Sequence, residues 1–276
     1  MSGGILLIFA HPDDESFITA GTACRYGDAG VRVALVCATL GGAGKLGEPP
    51  VATREELPTV RERELRDACA ILGIDIVGIL GYQDRELAAA PPDAVREQLV
   101  RAIRRERPDI VITFDPNGAN VHPDHVAISR FASDAITAAA DPRWIPEAGA
   151  AHRVRRVLWT LNAATTWGSA RPEDVTTHPG VDFIMDVGSW RDRKARALRA
   201  HRSQHVGVER IWFAPAHSTE LLSTELFRFA WGAAPRARPA RDLFEGMGDG
   251  EGEGERQRKA VNCREQETGN RELHRG

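Results

Sequence analysis

Two short polar motifs, each at the end of an apolar segment, contain the residue types that bind a catalytic metal ion. The first, Ala10-His11-Pro12-Asp13-Asp14-Glu15, follows residues 5–9, and the second, Val121-His122-Pro123-Asp124-His125, comes soon after residues 110–114. If both apolar segments are parallel strands, their carboxyl ends place the two motifs at one edge of a sheet, where ligands bind in such folds. A catalytic zinc site needs three nitrogen or oxygen ligands and one open position. His11, Asp14 and His125 can supply that set.

The elements that must hold these motifs alternate between short apolar segments and longer amphipathic ones. Apolar runs, most of them rich in β-branched residues, predict strands at residues 5–9, 31–37, 74–80, 110–114 and 154–161. Helical patterns lie between them, at residues 19–28, 59–72, 93–106 and 124–139. The second of these helices opens with the capping-box sequence Thr59-Val60-Arg61-Glu62. This alternation predicts an α/β fold, a mostly parallel sheet with helices on both faces.

The remainder of the chain is less regular. A strand is expected at residues 183–186, a helix at 190–202 and a last short strand at 226–231. From residue 236 the sequence is rich in Gly, Glu and Arg, which cannot bury enough apolar surface to offset the entropy of ordering. We therefore expect one domain over residues 1–235, its C-terminal part small and irregular, and a disordered low-complexity tail over residues 236–276.

The composition excludes several classes of protein. With 276 residues, 42% of them hydrophobic, the chain can bury the core of one large domain. Its net charge is −3 with acids and bases interspersed, which does not favour nucleic acid or an anionic membrane as a partner. No segment approaches the roughly 20 apolar residues of a membrane span. Residues 5–10 lack the basic start and the cleavage site of a signal peptide, so we expect a cytoplasmic protein.

The cysteines indicate free thiols. Cys24, Cys37, Cys69 and Cys263 are far apart, and no two of them form a C-x-x-C pair. Neither a disulfide framework nor a cysteine zinc site is indicated. Buried thiols in a reducing compartment are expected instead.

The two polar motifs together resemble those of the LmbE-like, or PIG-L-type, N-acetylglucosaminyl deacetylase family. The likeness runs from about residue 3 to residue 231 and includes Arg61-x-x-Glu64-Leu65 and His201-Arg202-Ser203-Gln204. It implies a Rossmann-like fold and a zinc-dependent amidohydrolase that removes the acetyl group of an N-acetylglucosamine-type sugar conjugate. In the family the first His, the second Asp and the last His bind the metal. This implies one zinc ion per chain, on His11, Asp14 and His125.

The resemblance also implies the acid–base groups. The first Asp of the family motif is the general base, here Asp13, and the first His of the second motif, here His122, assists the oxyanion and the leaving group. The chemistry is consistent with this division, because zinc lowers the pKa of a bound water from 15.7 towards about 7, within reach of a neighbouring carboxylate. We expect His122 to act as a cation that stabilises the developing negative charge.

Substrate binding is less closely defined by the sequence. Similarity to the sugar-binding positions of mycothiol-pathway relatives implies hydroxyl contacts from Arg61 and Asp84, although a solvated helix charge and a loop cap explain them equally well. Gln204 either lines the pocket or lies on a solvated helix face. The expected partner is a small N-acetylated sugar conjugate whose aglycone the sequence does not define. A homo-oligomer is compatible with the sequence.

Two other functions stay open at this point. A metal-dependent phosphoesterase would hold two metals about 3.5–4 Å apart, but too few acidic residues are expected at the sheet edge for a second metal. A sugar- or nucleotide-binding module without catalysis would not need Asp13 and His122. The Gly-rich residues 40–45 form either a phosphate cradle or, because the P-loop spacing is absent, a mobile loop. Asp115 precedes Pro-Asn-Gly and is expected to form an Asx-type turn.

Overall fold

A computed structural model describes residues 4–161 and 180–248 of the chain. The strands of the described residues are β1 (Gly4–Phe9), β2 (Arg32–Thr39), β3 (Asp75–Tyr82), β4 (Ile110–Phe114), β5 (Arg156–Leu161), β6 (Phe183–Asp186) and β7 (Thr224–Gly232). They form one sheet in the order β3-β2-β1-β4-β5-β7-β6. Neighbours among β1 to β5 pair in parallel, whereas β7 pairs antiparallel with β5 and β6. The mostly parallel α/β sheet predicted from the sequence is confirmed.

Helices connect and cover these strands. The α-helices longer than one turn are α1 (Asp14–Ile18), α2 (Ala20–Asp28), α3 (Leu57–Leu72), α4 (Pro92–Glu106), α5 (Pro123–Ala139), α6 (Arg191–Ala200) and α7 (Ser218–Ser223). Single turns occur at Leu87–Ala89, Gly118–Val121, Pro146–Ala148, Gly188–Trp190, Arg202–Gln204 and His205–Val208, the last continuing into the π-helical segment Glu209–Phe213. α4 packs against α5, while α2 and α3 pack against α6.

The strands that lead into the two polar motifs are the most deeply buried. β4 is buried along its whole length, and β1 from Ile5 onward. Continuous apolar runs of this kind are typical of parallel strands covered on both faces. β1 and β4 are direct neighbours, with Ile5 opposite Ile110, so their carboxyl ends lie side by side. Both motifs therefore start from the same edge of the sheet, as the sequence predicted.

The start of α3 differs from the prediction. The helix begins at Leu57, with Pro58 in its first turn, and not at Thr59. The reciprocal hydrogen bonds of a capping box occur earlier, between Thr53 and Glu56: the Thr53 N–H donates to the Glu56 carboxylate, and the Glu56 N–H donates to the Thr53 hydroxyl. Thr53-x-x-Glu56 has the same sequence form as Thr59-x-x-Glu62, so the pattern alone does not select between them.

A buried ion pair anchors α6. Lys194 of α6 donates from Nζ to Glu225 of β7 at 2.8 Å, and both side chains are almost completely buried. The Glu225 carboxylate also accepts the backbone N–H groups of Gly21 and Thr22 at the start of α2. Because a buried charge is stable only when it is paired and hydrogen-bonded, this arrangement fixes α6 relative to the sheet. The segment that follows α6 thereby receives a defined position.

Two further expectations concern thiols and membranes. Cys24, Cys37 and Cys69 are buried free thiols, as expected, while Cys263 lies outside the described residues. Among residues 4–161 and 180–248, the length and hydropathy of every helix fall short of what a membrane crossing requires.

The predicted start of the tail at residue 236 needs correction. Residues 236–248 pack on the body: Ala240 pairs with Phe183, and Leu243 and Met247 are buried. The backbone carbonyls of this segment accept hydrogen bonds from the buried Arg156 guanidinium. The prediction used the average composition of residues 236–276. That average is polar even though a few apolar residues lie near the beginning of the region. Residues 249–276 lie outside the described part of the chain.

We expect a chain that ends at Pro235 to melt at a lower temperature than the full chain. Loss of the buried Leu243 side chain alone costs about 2–5 kcal/mol, and the truncation also removes the carbonyl partners of Arg156. For a domain of this size the melting temperature should fall by on the order of 10 °C. Differential scanning calorimetry checks this, with a chain ending at Gly248 as the matched control. Equal melting of the Pro235-terminated and full chains would show that the segment contributes nothing to stability.

Candidate metal centre and active site

Three side chains from the two polar motifs converge at the sheet edge. His11 follows β1, Asp14 begins α1 and His125 lies in the first turn of α5. The His11 Nδ1 and His125 Nε2 atoms are 3.1 Å apart, the His125 Nε2 lies 3.4 Å from Asp14 Oδ1, and the His11 Nδ1 lies 3.8 Å from Asp14 Oδ2. Ligands about 2.0–2.1 Å from a tetrahedral zinc ion lie roughly 3.4 Å from one another. The spacing of these donors therefore fits one such ion.

The outer hydrogen bonds of both histidines turn their lone pairs towards each other. The second nitrogen of His125, Nδ1, lies 3.1 Å from the Gly118 carbonyl oxygen, which accepts only if Nδ1 carries the proton. The second nitrogen of His11, Nε2, lies 3.2 Å from Asp124 Oδ2 and must likewise carry a proton. When both rings are neutral, these tautomers leave lone pairs on the two facing nitrogens, which are only 3.1 Å apart. A cation between them would relieve that repulsion.

The carboxylate of Asp14 is oriented by the backbone. Its Oδ2 atom accepts the His11 N–H at 2.8 Å and the Ala10 N–H at 3.2 Å, which aims Oδ1 at His125. Burial raises the pKa of Asp14, but His125 and His11 outweigh burial and lower that pKa to about 2. The group is therefore an anion throughout the physiological range. This is the form that binds a metal.

Two carboxylates behind His11 hold it in place. Asp124 also accepts the backbone N–H groups of Arg85 and Leu87, and Asp84 places Oδ1 3.3 Å from His11 Nε2 while Oδ2 accepts the Ala43 N–H. Burial lowers the pKa of His11, yet the hydrogen bonds to Asp124 and Asp84 outweigh it and raise that pKa to about 10. The position therefore favours a positive charge, which a bound cation would supply.

The sequence did not identify this role of either carboxylate. Asp124 lies inside the second motif but received no function, and Asp84 was expected to contact sugar hydroxyls. Asp84 Oδ1 lies 3.3 Å from His11 Nε2 and Oδ2 accepts the Ala43 N–H, which favours a positioning role; the sugar contact expected of Asp84 stays a prediction. His11, Asp84 and Asp124 form a second cluster of possible ligands. Its carboxylates are engaged by His11 and by backbone N–H groups, which argues against a second metal there.

Asp13 lies beside the three ligands in an unusual backbone conformation. Its φ of 114° is positive, which is uncommon outside glycine and is often found where function requires it. Its Oδ2 atom accepts a hydrogen bond of 3.0 Å from Arg61 Nη2, which also bonds the Pro12 carbonyl oxygen. Burial raises the pKa of Asp13, Arg61 lowers it, and the result is a pKa of about 6. Such a pKa suits a general base near neutral pH.

Arg61 is therefore not a solvated helix charge, and the sugar contact expected of it stays a prediction. It is 3% exposed, and Nη1 donates to the Gly41 carbonyl oxygen at 2.9 Å. Gly41 has φ +61°, and a Cβ atom there would come within 1.8 Å of Arg61 Nη1. Glycine is thus required for the guanidinium to reach Asp13. The Gly-rich loop, expected to cradle phosphate or to be mobile, accommodates Arg61.

His122 caps the helix that carries His125. Its Nδ1 atom accepts the Asp124 N–H at 3.2 Å, so the neutral ring carries its proton on Nε2. The ring centroid lies 4.8 Å from that of His11 and 5.0 Å from that of His125. Burial lowers the pKa of His122, and the two neighbouring histidines lower it further. The surroundings thus favour a neutral donor over the imidazolium expected from the sequence.

Gln204 contacts the loop and not the ligand cluster. Its Nε2 atom donates to the Lys45 carbonyl oxygen and to the Ser203 hydroxyl, each at 2.9 Å. Ser203 in turn donates to Glu64 through its N–H and its hydroxyl. This series of bonds joins the segment after α6 to α3 and to the Gly-rich loop. The substrate contact expected of Gln204 stays a prediction.

A cavity of about 330 Å³ opens next to the candidate metal ligands His11, Asp14 and His125. Its lining includes Leu40, Gly42, Arg54, Pro58, Tyr82, Gln83 and Asp84. Since Asp84 also touches His11, a molecule in the cavity would lie one residue away from the ligand cluster. A larger cavity, of about 950 Å³, lies between α3 and α6 and is not lined by any of the candidate metal ligands.

The turn before the second motif allows His125 to approach. The Asp115 carbonyl oxygen accepts the Gly118 N–H, and its carboxylate accepts the Ala119 N–H at 2.7 Å, so Asp115 starts a turn, but its carboxylate bonds the N–H four residues on and not two residues on as the expected Asx-type turn would. Gly118 has φ +65°, and a Cβ atom there would come within 2.7 Å of His125 Cβ. The ring of His125 also stacks on Phe114, with centroids 4.0 Å apart. Both neighbours fix the ring that presents Nε2 to the site.

Comparison with known proteins gives consistent matches. The family model described as PIG-L, GlcNAc-PI de-N-acetylase, matches residues 6–136. A probable N-acetyl-alpha-D-glucosaminyl L-malate deacetylase 2 of Bacillus anthracis is 41% identical over 202 residues, covering 72% of this chain and 80% of the relative. A 1D-myo-inositol 2-acetamido-2-deoxy-alpha-D-glucopyranoside deacetylase of Streptomyces griseus is 32% identical over 287 residues and covers 88% of each chain. The structure of N,N'-diacetylchitobiose deacetylase from Pyrococcus horikoshii matches with 25% identity and a TM-score of 0.64, over 83% of this chain and 84% of that one.

The fold and the site together define a class: α/β proteins with two histidines and an aspartate gathered at the carboxyl edge of a mostly parallel sheet. Sequence identity to the Bacillus and Streptomyces relatives over most of each chain then identifies the family. The chain belongs to the PIG-L family of de-N-acetylases, as its two motifs predicted.

Proposed function

We propose that this protein is a zinc-dependent deacetylase that hydrolyses the acetamide of an N-acetylglucosamine-type sugar conjugate. One observation carries the metal part of the proposal: His11 Nδ1 and His125 Nε2 lie 3.1 Å apart beside an ionised Asp14. That arrangement suits a bound cation, and a set of two imidazoles and one carboxylate suits zinc. The names of the relatives support the substrate class, because those relatives are deacetylases of glucosaminyl conjugates.

Asp13 accepts a proton from the attacking water and later donates it to the leaving amine. A divalent metal, when bound, would polarise the acetamide carbonyl and acidify a water molecule. Arg61 occupies Oδ2 of Asp13, which leaves Oδ1 to accept the proton that the water loses as it attacks the carbonyl carbon. Asp13 then returns this proton to the nitrogen of the departing sugar amine, so that acetate and a free amine are released.

His122 stabilises the carbonyl oxygen as it gains negative charge. Because Nδ1 accepts the Asp124 N–H, Nε2 is the atom with a proton to donate, and no net charge on the ring is required. A donor fixed before the reaction stabilises the developing oxyanion by about 3–4 kcal/mol. This neutral donor replaces the cationic His122 expected from the sequence. The capping of α5 keeps the ring from turning the wrong nitrogen towards the substrate.

Zinc content and acetate release test the proposal together. The purified full chain should contain about one zinc per chain by mass spectrometry, and excess chelator should remove both the metal and the activity, with recovery on adding zinc. We expect acetate and amine release from at least one of three conjugates: N-acetylglucosaminyl inositol, N-acetylglucosaminyl malate and N,N'-diacetylchitobiose. Each is a conjugate named for a relative.

Two outcomes would overturn it. Full turnover in excess chelator would remove the metal from the mechanism. Hydrolysis of a generic phosphate ester without acetate release from any conjugate would favour the phosphoesterase alternative. A chain that binds a conjugate but releases no acetate would be the binding module that the sequence left open.

A further inference from the structure

A buried cluster behind Asp13 consists of Glu15, Ser16 and His201. Glu15 and His201 are each 0% exposed. They are in contact although they are 186 residues apart in the chain. The Glu15 Oε1 atom accepts hydrogen bonds from Ser16 Oγ at 2.5 Å and from His201 Nε2 at 2.8 Å. Neither Glu15 nor His201 belongs to the candidate ligand set, and the mechanism above leaves both without a role.

The other carboxylate oxygen of Glu15 is hydrogen-bonded to the backbone of Asp13, the proposed general base. Its Oε2 atom accepts the backbone N–H of Asp13 at 3.0 Å. Asp13 has a φ of 114°, which is uncommon for any residue other than glycine. A backbone in such a conformation persists only where its surroundings hold it. Here the carboxylate of Glu15 holds the N–H from one side, and Arg61 holds the Pro12 carbonyl and the Asp13 carboxylate from the other.

We propose that His201 is a positioning residue for the general base: it fixes the Glu15 carboxylate, which in turn holds Asp13 in its productive backbone conformation. The inference rests on the proposed function, since it assigns His201 to the same reaction. Glu15 would otherwise be a buried carboxylate with fewer donors, and a buried acceptor that loses a partner rearranges or recruits another. His201 supplies that donor from the C-terminal part of the chain.

The position of His201 depends on elements far from the site in sequence. It follows α6, which the buried Lys194–Glu225 pair anchors to β7. Two residues later, Ser203 bonds Glu64, which lies on α3 one turn beyond Arg61. The Asp13 backbone is therefore held by two groups, Glu15 and Arg61, that are both tied to the segment after α6. The smaller C-terminal part of the fold thus contributes to the geometry of the base.

Two variants of His201 differing by one methylene test the inference. In His201→Gln the side-chain amide nitrogen reaches about as far as Nε2 and retains a donor for Glu15, whereas in His201→Asn it falls short. We expect His201→Asn to lower kcat by up to about 10²-fold, as displacement of a catalytic group by about 1 Å does, with KM and zinc content near those of the parent. His201→Gln should stay within severalfold of the parent. His205→Ala is the matched control, because His205 lies in the same segment and, among the described residues, its side chain bonds the Arg202 carbonyl oxygen.

A double variant and a crystal structure separate positioning from a general structural effect. If His201 acts through Asp13, His201→Asn should cause no further loss of kcat in an Asp13→Asn background. Crystals of His201→Asn should show Asp13 outside its positive φ, a reading that does not depend on activity. Should His201→Asn not fold, Ser16→Ala removes the other donor to the same oxygen and leaves His201 in place, so we expect an unchanged Asp13 φ and kcat; a displaced Asp13 with reduced kcat would assign the positioning role to Ser16 and overturn that of His201.

The possible failures are distinguishable. If the parent protein releases no acetate, the proposed function is wrong, but the crystal structures still decide whether His201 holds Asp13. If the parent is active and Asp13→Asn is not, parental kcat or an unchanged Asp13 φ in His201→Asn overturns the positioning role. An equal loss of kcat in both backgrounds overturns it too.

Discussion

Asp14→Asn is expected to remove the metal and the activity while leaving the fold intact. The substituted side chain keeps one oxygen that accepts the Ala10 and His11 N–H groups, so the backbone stays in place. Its NH₂ group then faces His125 where the anionic ligand stood. Loss of a residue that hydrogen-bonds a metal ligand lowers metal affinity by about 10–100-fold. Loss of a direct ligand should lower the affinity by more than that. Zinc content after dialysis and acetate release measure the two effects.

The neighbouring carboxylate provides the matched control. Asp13→Asn removes the same charge one residue earlier but leaves His11, Asp14 and His125 complete. We expect this variant to keep most of its zinc and to lose about 10²–10⁴-fold in turnover, the usual contribution of a general base. Equal loss of zinc in the two variants would show that Asp13 is itself a ligand, and the assignment of the three ligands would have to change.

The sheet and the converging motifs were predictable because they depend on local patterns. Continuous apolar runs identify β1 and β4 as buried parallel strands, and strand polarity then puts both motifs at one edge. His11 and His125 are adjacent for that reason alone, although 114 residues separate them. The family resemblance indicated which acidic and imidazole groups of the two motifs are metal ligands and which are acid–base groups. Periodicity and spacing without it would have left the choice among Asp13, Asp14 and Asp124 open.

The partners of the site residues were not predictable from the same patterns. Asp84 lies in a loop and Arg61 on a helix, and each is a common surface residue type. Only the folded chain shows that Asp84 touches His11 and that Arg61 passes over Gly41 to reach Asp13. These contacts depend on where loops cross the sheet edge, which no local pattern encodes. A buried charge needs a partner, but the sequence does not say which one.

The tail boundary failed for a related reason. Composition averaged over residues 236–276 is dominated by Gly, Glu and Arg, which is typical of disorder. Three apolar residues near its start, Ala240, Leu243 and Met247, are buried against the body, and Arg156 donates to the Leu243 and Glu245 carbonyl oxygens. Docking of this kind takes only a few residues. Average composition is therefore a poor guide within the first dozen residues of a tail.

His122→Ala is expected to separate catalysis from metal binding. The ring lies close enough to His11 and His125 that the three could form an alternative ligand set, in which His122 takes the place of Asp14. The hydrogen bond from the Asp124 N–H occupies Nδ1, and the proton on Nε2 makes that atom a donor and not a ligand. We therefore expect zinc content near that of the parent and a kcat lower by about 10²–10³-fold, the effect of losing one oxyanion donor.

His125→Ala is the matched comparison, because it removes the other imidazole of the same motif and should release the zinc. The pH profile adds a test of the charge on His122. If the ring donates while neutral, alkaline pH does not inactivate the parent through His122, and the alkaline part of the profile should be the same in parent and His122→Ala. An alkaline limb present in the parent and absent from His122→Ala would show that the imidazolium is the working form. Loss of zinc from His122→Ala would instead make His122 a ligand and leave the oxyanion without the donor assigned to it.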